Sequence, residues 1–125
     1  MRANINNNNN HLSINNTILD VHLLYEGLDN FIQLNQLEEM HLAGNNLDDF
    51  ACDKLARLFR NSTTLSFLDI SNMSAISHRG IEALHKIRSL QTLIIRGTRA
   101  AQYPFIELLI LMFNEVNPQC NIIYK

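Results

Sequence analysis

A short apolar pattern recurs in this chain and constrains its fold more than anything else in the sequence. Leu37-x-x-Met40-x-Leu42-x-x-Asn45-x-Leu47 returns further along as Leu65-x-x-Leu68-x-Ile70-x-x-Met73. It begins a third time, after a similar interval, as Leu90-x-x-Leu93-x-Ile95. Such a period marks stacked-unit architectures, in which no single unit buries its apolar face and neighbours close one continuous core. The apolar alternation within each motif is that of a strand, and the spacing by threes after it is that of a buried helical face. The expected fold is α/β: a short solenoid of about three to four units, parallel strands on one face and helices on the other. The residues between the apolar positions then form an outward row. That row is suited to holding another protein and brings no reactive chemistry of its own.

The helical segments repeat as well. Residues 27–37 overlay residues 80–90 without a gap, matching Leu28, Phe31 and Leu34 to Ile81, Leu84 and Ile87. Ser77 and the pair Asp48-Asp49 are helix-capping types at the expected starts. The intervening helix, about 49–60, should turn Leu55, Leu58 and Phe59 inward. Near the end, Pro104 suits a first helical turn, residues 105–116 read as a helix, and Asn117-Pro118 stops it. Cys120, Ile122 and Tyr124 then alternate as a last inward strand face.

The opening of the chain is different. Residues 1–17 hold the asparagine run Asn6 to Asn10 and then Asn15 and Asn16. This offers too little apolar surface to offset ordering entropy, so an unstructured tail is expected, with the repeat domain over 18–125. Asn15 and Asn16 stand where a first strand should alternate with apolar residues. The N-terminal edge is therefore expected to be weakly capped, as in a shortened form of a longer protein.

With 125 residues, 46% of them hydrophobic, the chain suffices for one modest domain. No apolar run reaches the roughly 18–20 residues of a membrane-spanning helix. Cys52 and Cys120 share no motif spacing and point to a reduced intracellular compartment. The net charge of −2 conceals a polarity. Residues 1–55 hold eight acids against Arg2 and Lys54, whereas residues 56–125 hold four acids against eight bases. Such an asymmetry suits an electrostatically oriented protein partner.

The usual catalytic and metal-binding constellations do not form. His11, His22, His41, His78 and His85 are far apart, and neither cysteine nor carboxylate completes a zinc set around His78 and His85. Cys52 falls at a helical core position. The sequential pairs Glu38-Glu39 and Asp48-Asp49 point their members apart. The expectation is a chain that is not an enzyme, with no cofactor, no metal and no nucleic-acid partner. Its candidate binding residues lie on the strand face: Glu39, His41, Phe67, Asp69, Ile94 and Arg96. In the last helix, Phe105, Leu108, Leu109, Met112 and Val116 form the expected buried stripe. That leaves Ile106, Ile110 and Phe113 as a second candidate contact, for a membrane-complex subunit or for self-association.

The consensus L-x-x-L-x-L, followed by Ile76, Ser77, Gly80, Ile81 and Leu84, resembles the cysteine-containing class of leucine-rich repeat. F-box substrate receptors use that class, and so does a small mitochondrial family. The block Gly27, Phe31, Leu34, Leu37-Glu38, Leu42, Leu47-Asp48-Asp49 and Leu55 resembles the family of ATP synthase subunit s (coupling factor B) and the distal membrane-arm assembly component 2 of complex I. A helix, an Asn-Pro stop and a terminal strand at Ile122 extend the likeness over about 18–125. The resemblance implies a non-catalytic adaptor on the matrix side of the mitochondrial inner membrane, peripheral to the membrane at most, serving coupling or assembly of a respiratory complex. Two departures limit it. Ala43 and Asn45 stand where family members can have a pair of cysteines, and the family's upstream metal-associated domain has no counterpart, so no metal residue is carried over. The start also lacks an Arg-rich presequence. The alternative is a cytosolic F-box-type repeat protein recruiting substrates for ubiquitin ligation; no F-box-like helical module precedes the repeats.

Overall fold

Alternation in the recurring L-x-L segments sends every second side chain to the same side, and the sheet is built on that alternation. The structure, a computed structural model, describes residues 36–125 together with the strand backbone of Asn4–Ile5 and His11–Ser13. It is α/β. Four strands run parallel in chain order: β3 (Glu39–His41), β4 (Phe67–Asp69), β5 (Thr92–Ile94) and β6 (Asn121–Ile123). The helices α1 (Asp49–Phe59), α2 (His78–Leu84) and α3 (Ile106–Val116) lie on the three crossovers, α3 entered through a 3-10 turn at Ala100–Gln102. Upstream, β2 (His11–Ser13) pairs parallel with β3, and β1 (Asn4–Ile5) pairs antiparallel with β2. At these two places the expected unstructured tail is paired backbone. The rest of that tail, the expected first unit from Ile18 and its helix up to residue 35 lie outside the described residues.

The register is regular. Met40, Leu68, Leu93 and Ile122 stand side by side across the four strands and point into the core. Leu37, Leu42, Leu65, Ile70, Leu90 and Ile95 flank them, and the helices contribute Leu55, Phe59, Ile81, Leu84, Leu109 and Phe113 to the same cluster. Burying side chains of this size stabilises the fold by about 1.5–3 kcal/mol each.

Each strand leaves through a similar turn. Gly44, Asn72 and Gly97 have positive φ (74°, 58° and 72°) at matching places after β3, β4 and β5. At Gly97 a Cβ would also press on the Asn72 backbone. The following residue is buried in all three units. Asn45 donates from Nδ2 to the Leu42 carbonyl at 2.6 Å, and Thr98 donates from Oγ1 to the Ile95 carbonyl at 2.6 Å. Met73 fills the same slot with an apolar side chain. A second set of polar side chains ties each unit to the one before. Thr64, Ser89 and Gln119 donate to the carbonyls of Leu37, Leu65 and Leu90.

The helices start where their caps allow. Asp48 accepts from Ala51 N at the head of α1, and Ser77 accepts from Arg79 N at the head of α2. Both caps are legible in the sequence, as are the inward residues Leu55 and Phe59 of α1 and Ile81 and Leu84 of α2. Between the two helices runs an interlock. The Asp49 carboxylate accepts from the Ser77 backbone N–H at 2.7 Å and also from the Ser77 hydroxyl. Gly80 makes this approach possible: a Cβ there would lie 2.6 Å from Asp49 Oδ1 and 3.0 Å from Cys52 Sγ.

Alanine in place of glycine ordinarily stabilises a helix by about 1 kcal/mol. Here the added methyl must displace a hydrogen-bonded carboxylate and a buried sulfur, an overpacking cost of about 1–3 kcal/mol. Gly80→Ala is therefore expected to lower stability in denaturant unfolding, against the helix-propensity trend. A gain would show that α1 and α2 can separate freely.

Candidate functional site

The strand pleat that buries Met40, Leu68 and Leu93 turns their neighbours to the opposite face. Two rows result. Glu39, Phe67, Thr92 and Asn121 form one, and His41, Asp69, Ile94 and Ile123 the other. Glu39, His41, Phe67, Asp69 and Ile94 are partly covered, and Arg96 is exposed on the turn after β5. All six strand-face residues expected from the sequence therefore lie on this side, five on strands and one at its rim.

Their side chains are organised against one another. His41 Nε2 and Glu39 Oε1 are 3.0 Å apart, and the His41 ring lies 4.8 Å from that of Phe67, tilted by 34°. Asp69 Oδ1 accepts from the Ser71 backbone N–H at 3.0 Å and from its hydroxyl at 2.6 Å. Arg96 Nε donates to the Lys125 carbonyl at 2.6 Å, holding the chain end after β6. Phe67 and Ile94 are thus set among a carboxylate, an imidazole and a guanidinium already held in place. Apolar centres inside a polar surround are the composition of binding faces. Asn121 and Ile123 complete the rows and are not among the residues expected from the sequence, where only the inward side of the last strand stands out. Its alternation nonetheless implies an outward pair.

The last helix requires a correction. Phe113 is core, and Ile106 and Ile110 pack against the core, so the flank expected to meet a partner is the inward side. Of the expected buried stripe only Leu109 is buried; Phe105, Leu108, Met112 and Val116 are exposed, with Leu111. The physical reason lies at the helix end. Asn117 is buried and donates from Nδ2 to the carbonyls of His85 and Ile87, at 2.9 and 3.2 Å. Asn114 donates to the carbonyls of Asn117 and Cys120, both at 2.9 Å. These bonds set the rotation of α3. A helix apolar on almost every side leaves its own periodicity unable to do so.

Among the described residues no three or more His, Cys, Asp or Glu side chains converge as a cation site, and no helix is long and apolar enough to cross a membrane. No family model matches the chain.

The two thiols lie away from the strand face, both buried and unpaired. Burial pushes the Cys52 thiol far above its ordinary range, and the nearby carboxylates of Asp49 and Asp48 push it further the same way. Burial alone pushes Cys120 up to about 11. A raised thiol pKa keeps the thiolate scarce at all lower pH. For Cys120 at pH 8 it is about one molecule in a thousand. The folded protein is expected to react with an aromatic disulfide probe at pH 8 far more slowly than the denatured chain, in which both thiols titrate promptly. Rapid modification of either thiol in the folded state would show that its cover opens readily.

Proposed function

We propose that this chain is a non-catalytic leucine-rich repeat adaptor that supports coupling or assembly of a respiratory complex at the mitochondrial inner membrane. The observation that carries the adaptor reading is the in-register strand face. The recurring strand units set Phe67, Ile94 and Ile123 among Glu39, His41, Asp69 and Arg96 on one side of a parallel sheet. The matching turns at Gly44, Asn72 and Gly97 support the repeat assignment. So do the ties from Thr64, Ser89 and Gln119 to the preceding unit. The respiratory setting rests on the resemblance to the subunit s family across 18–125. In this reading Phe67 and Ile94 are the apolar anchors, and the charged residues around them set orientation and partner choice.

Two measurements on the native protein test this. Tagged at its C terminus in its own cells, the protein is expected to fractionate with mitochondria, to resist protease outside the inner membrane, and to co-purify with subunits of a respiratory complex. Substitution of Phe67 and Ile94 together by Ser is expected to reduce that co-purification by roughly tenfold or more, since a few buried apolar anchors dominate interface energy. The same variant should melt near the wild-type temperature, because neither residue belongs to the core cluster. A cytosolic pool bound to ubiquitin-ligase subunits would overturn the respiratory assignment. Undiminished binding by a folded double variant would overturn the choice of face.

A further inference from the structure

Beyond the carboxyl ends of β4 and β5, where the chain passes into the helical layer, lies a cleft of about 610 Å³. That volume is in the range of small-molecule sites. The start of α2 supplies His78 and Arg79 to it, and the segment between β5 and α3 supplies Arg99, Gln102 and Tyr103. The cleft shares no residue with the strand face.

Its two arginines come from different elements, and both are exposed. Neither guanidinium has an ion pair or a hydrogen bond among the described residues. Arg57 and Arg96, by contrast, are engaged with Asp53 and with the Lys125 carbonyl. One carboxylate lines the cleft, that of Asp49. It accepts from the Ser77 backbone N–H at 2.7 Å and from the Ser77 hydroxyl, so it joins α1 to α2 and leaves both guanidiniums unpaired. Two fixed cations against one carboxylate give the cleft a net positive charge.

The frame that carries these cations is tied together on both sides of them. Next to Arg99, the Ala100 backbone N–H donates to the Ile76 carbonyl at 3.0 Å, just upstream of α2. Next to Arg79, the His78 ring stacks on Tyr103, with centroids 4.2 Å apart and planes within 10°. Phe105 meets the Tyr103 ring edge-on at 5.7 Å. The two arginines are therefore presented from segments already docked on each other, which lowers the ordering cost of binding between them.

We propose that this cleft binds a phosphate monoester carried on a flat ring. A planar carboxylate has two oxygens and is satisfied by a single guanidinium fork. A phosphate monoester has three acceptor oxygens and a charge of about −1.5 to −2 at neutral pH, so it can engage forks from two elements at once. The Gln102 amide adds a neutral donor to the same wall. The cleft is larger than a phosphate group alone fills, and the aromatic side chains of His78 and Tyr103 suit a ring as the rest of the ligand. The proposal does not rest on the adaptor reading, since the two surfaces have no residue in common.

Titration of the isotope-labelled full chain with phenyl phosphate, followed through its amide NMR signals, tests this. Saturable shifts are expected over residues 77–80 and 99–103, with weaker binding of inorganic phosphate and of benzoate. Arg79→Gln and Arg99→Gln should each raise the dissociation constant for phenyl phosphate roughly fivefold or more. Arg88→Gln, which removes an exposed arginine outside the cleft, should leave it unchanged. All three positions are exposed, and unchanged melting confirms that the variants fold. A phosphotyrosine peptide and adenosine monophosphate carry the group on different bodies, and the tighter of the two identifies the source. Shifts that do not saturate, shifts centred elsewhere, or an equal loss in Arg88→Gln would each overturn the site. Benzoate binding as tightly as phenyl phosphate would overturn the phosphate assignment, and inorganic phosphate doing so would overturn the ring.

Discussion

Adjacent strands in a sheet lie about 4.8 Å apart, whereas packed helices need about 8–10 Å. A parallel sheet that carries all its crossover helices on one face must reconcile the two spacings at every unit. Gly80 lets α2 settle against Asp49 and Cys52 of α1, closer than a side chain at that position would permit. The hydrogen bonds from Ser77 to the Asp49 carboxylate then hold the two helices at that separation.

Strands this short have few ladder bonds to spare, so their regularity depends on what happens between them. Two of the crossovers satisfy a strand-end carbonyl from within, one with the amide of Asn45 and the other with the hydroxyl of Thr98. At Met73 the same position trades a hydrogen bond for apolar volume. The polar ties from Thr64, Ser89 and Gln119 then fix each unit against its predecessor. Buried polar groups in such turns are stabilising only when satisfied, and these are satisfied within a few residues or within one neighbouring unit. The exceptions sit where α3 joins α2: His85 Nδ1 and Asn117 Oδ1 are buried with no partner among the described residues. That junction also follows α2, the shortest of the three helices.

The parts of the fold that could be read from the sequence were those specified by contrast. Met40 between Glu39 and His41 has one inward side in a strand, and Leu55 and Phe59 stand opposite Lys54 and Arg57 on a helix, so polarity alone assigns the faces. The capping residues Asp48 and Ser77 were equally plain. Legibility failed where contrast failed. Ile106 to Phe113 are apolar in nearly every direction, and the rotation of α3 is chosen by Asn114 and Asn117, whose amides bond to backbone beyond the helix. The first parallel strand was also hidden. Leu12 pairs with Met40, one unit further along the chain, yet the flanking asparagines mask the L-x-I step in which it stands. The alternation of the last strand implies that Asn121 and Ile123 face outward, whereas their pairing with Thr92 and Ile94 is long-range and is set by the fold.

The same register gives the strand face a metric. Across β3 to β6 the rows advance one side chain per strand, so their pitch is about 4.8 Å and the four strands span about 14 Å. An extended polypeptide laid across them advances about 3.3 Å per residue and falls out of step within two strands. An α-helix repeats about every 5.4 Å along its axis, near enough to offer about one turn to each strand over so short a distance. The width of the sheet thus discriminates among the shapes of ligand that can address Phe67, Ile94 and Ile123 together, before any side-chain chemistry is consulted.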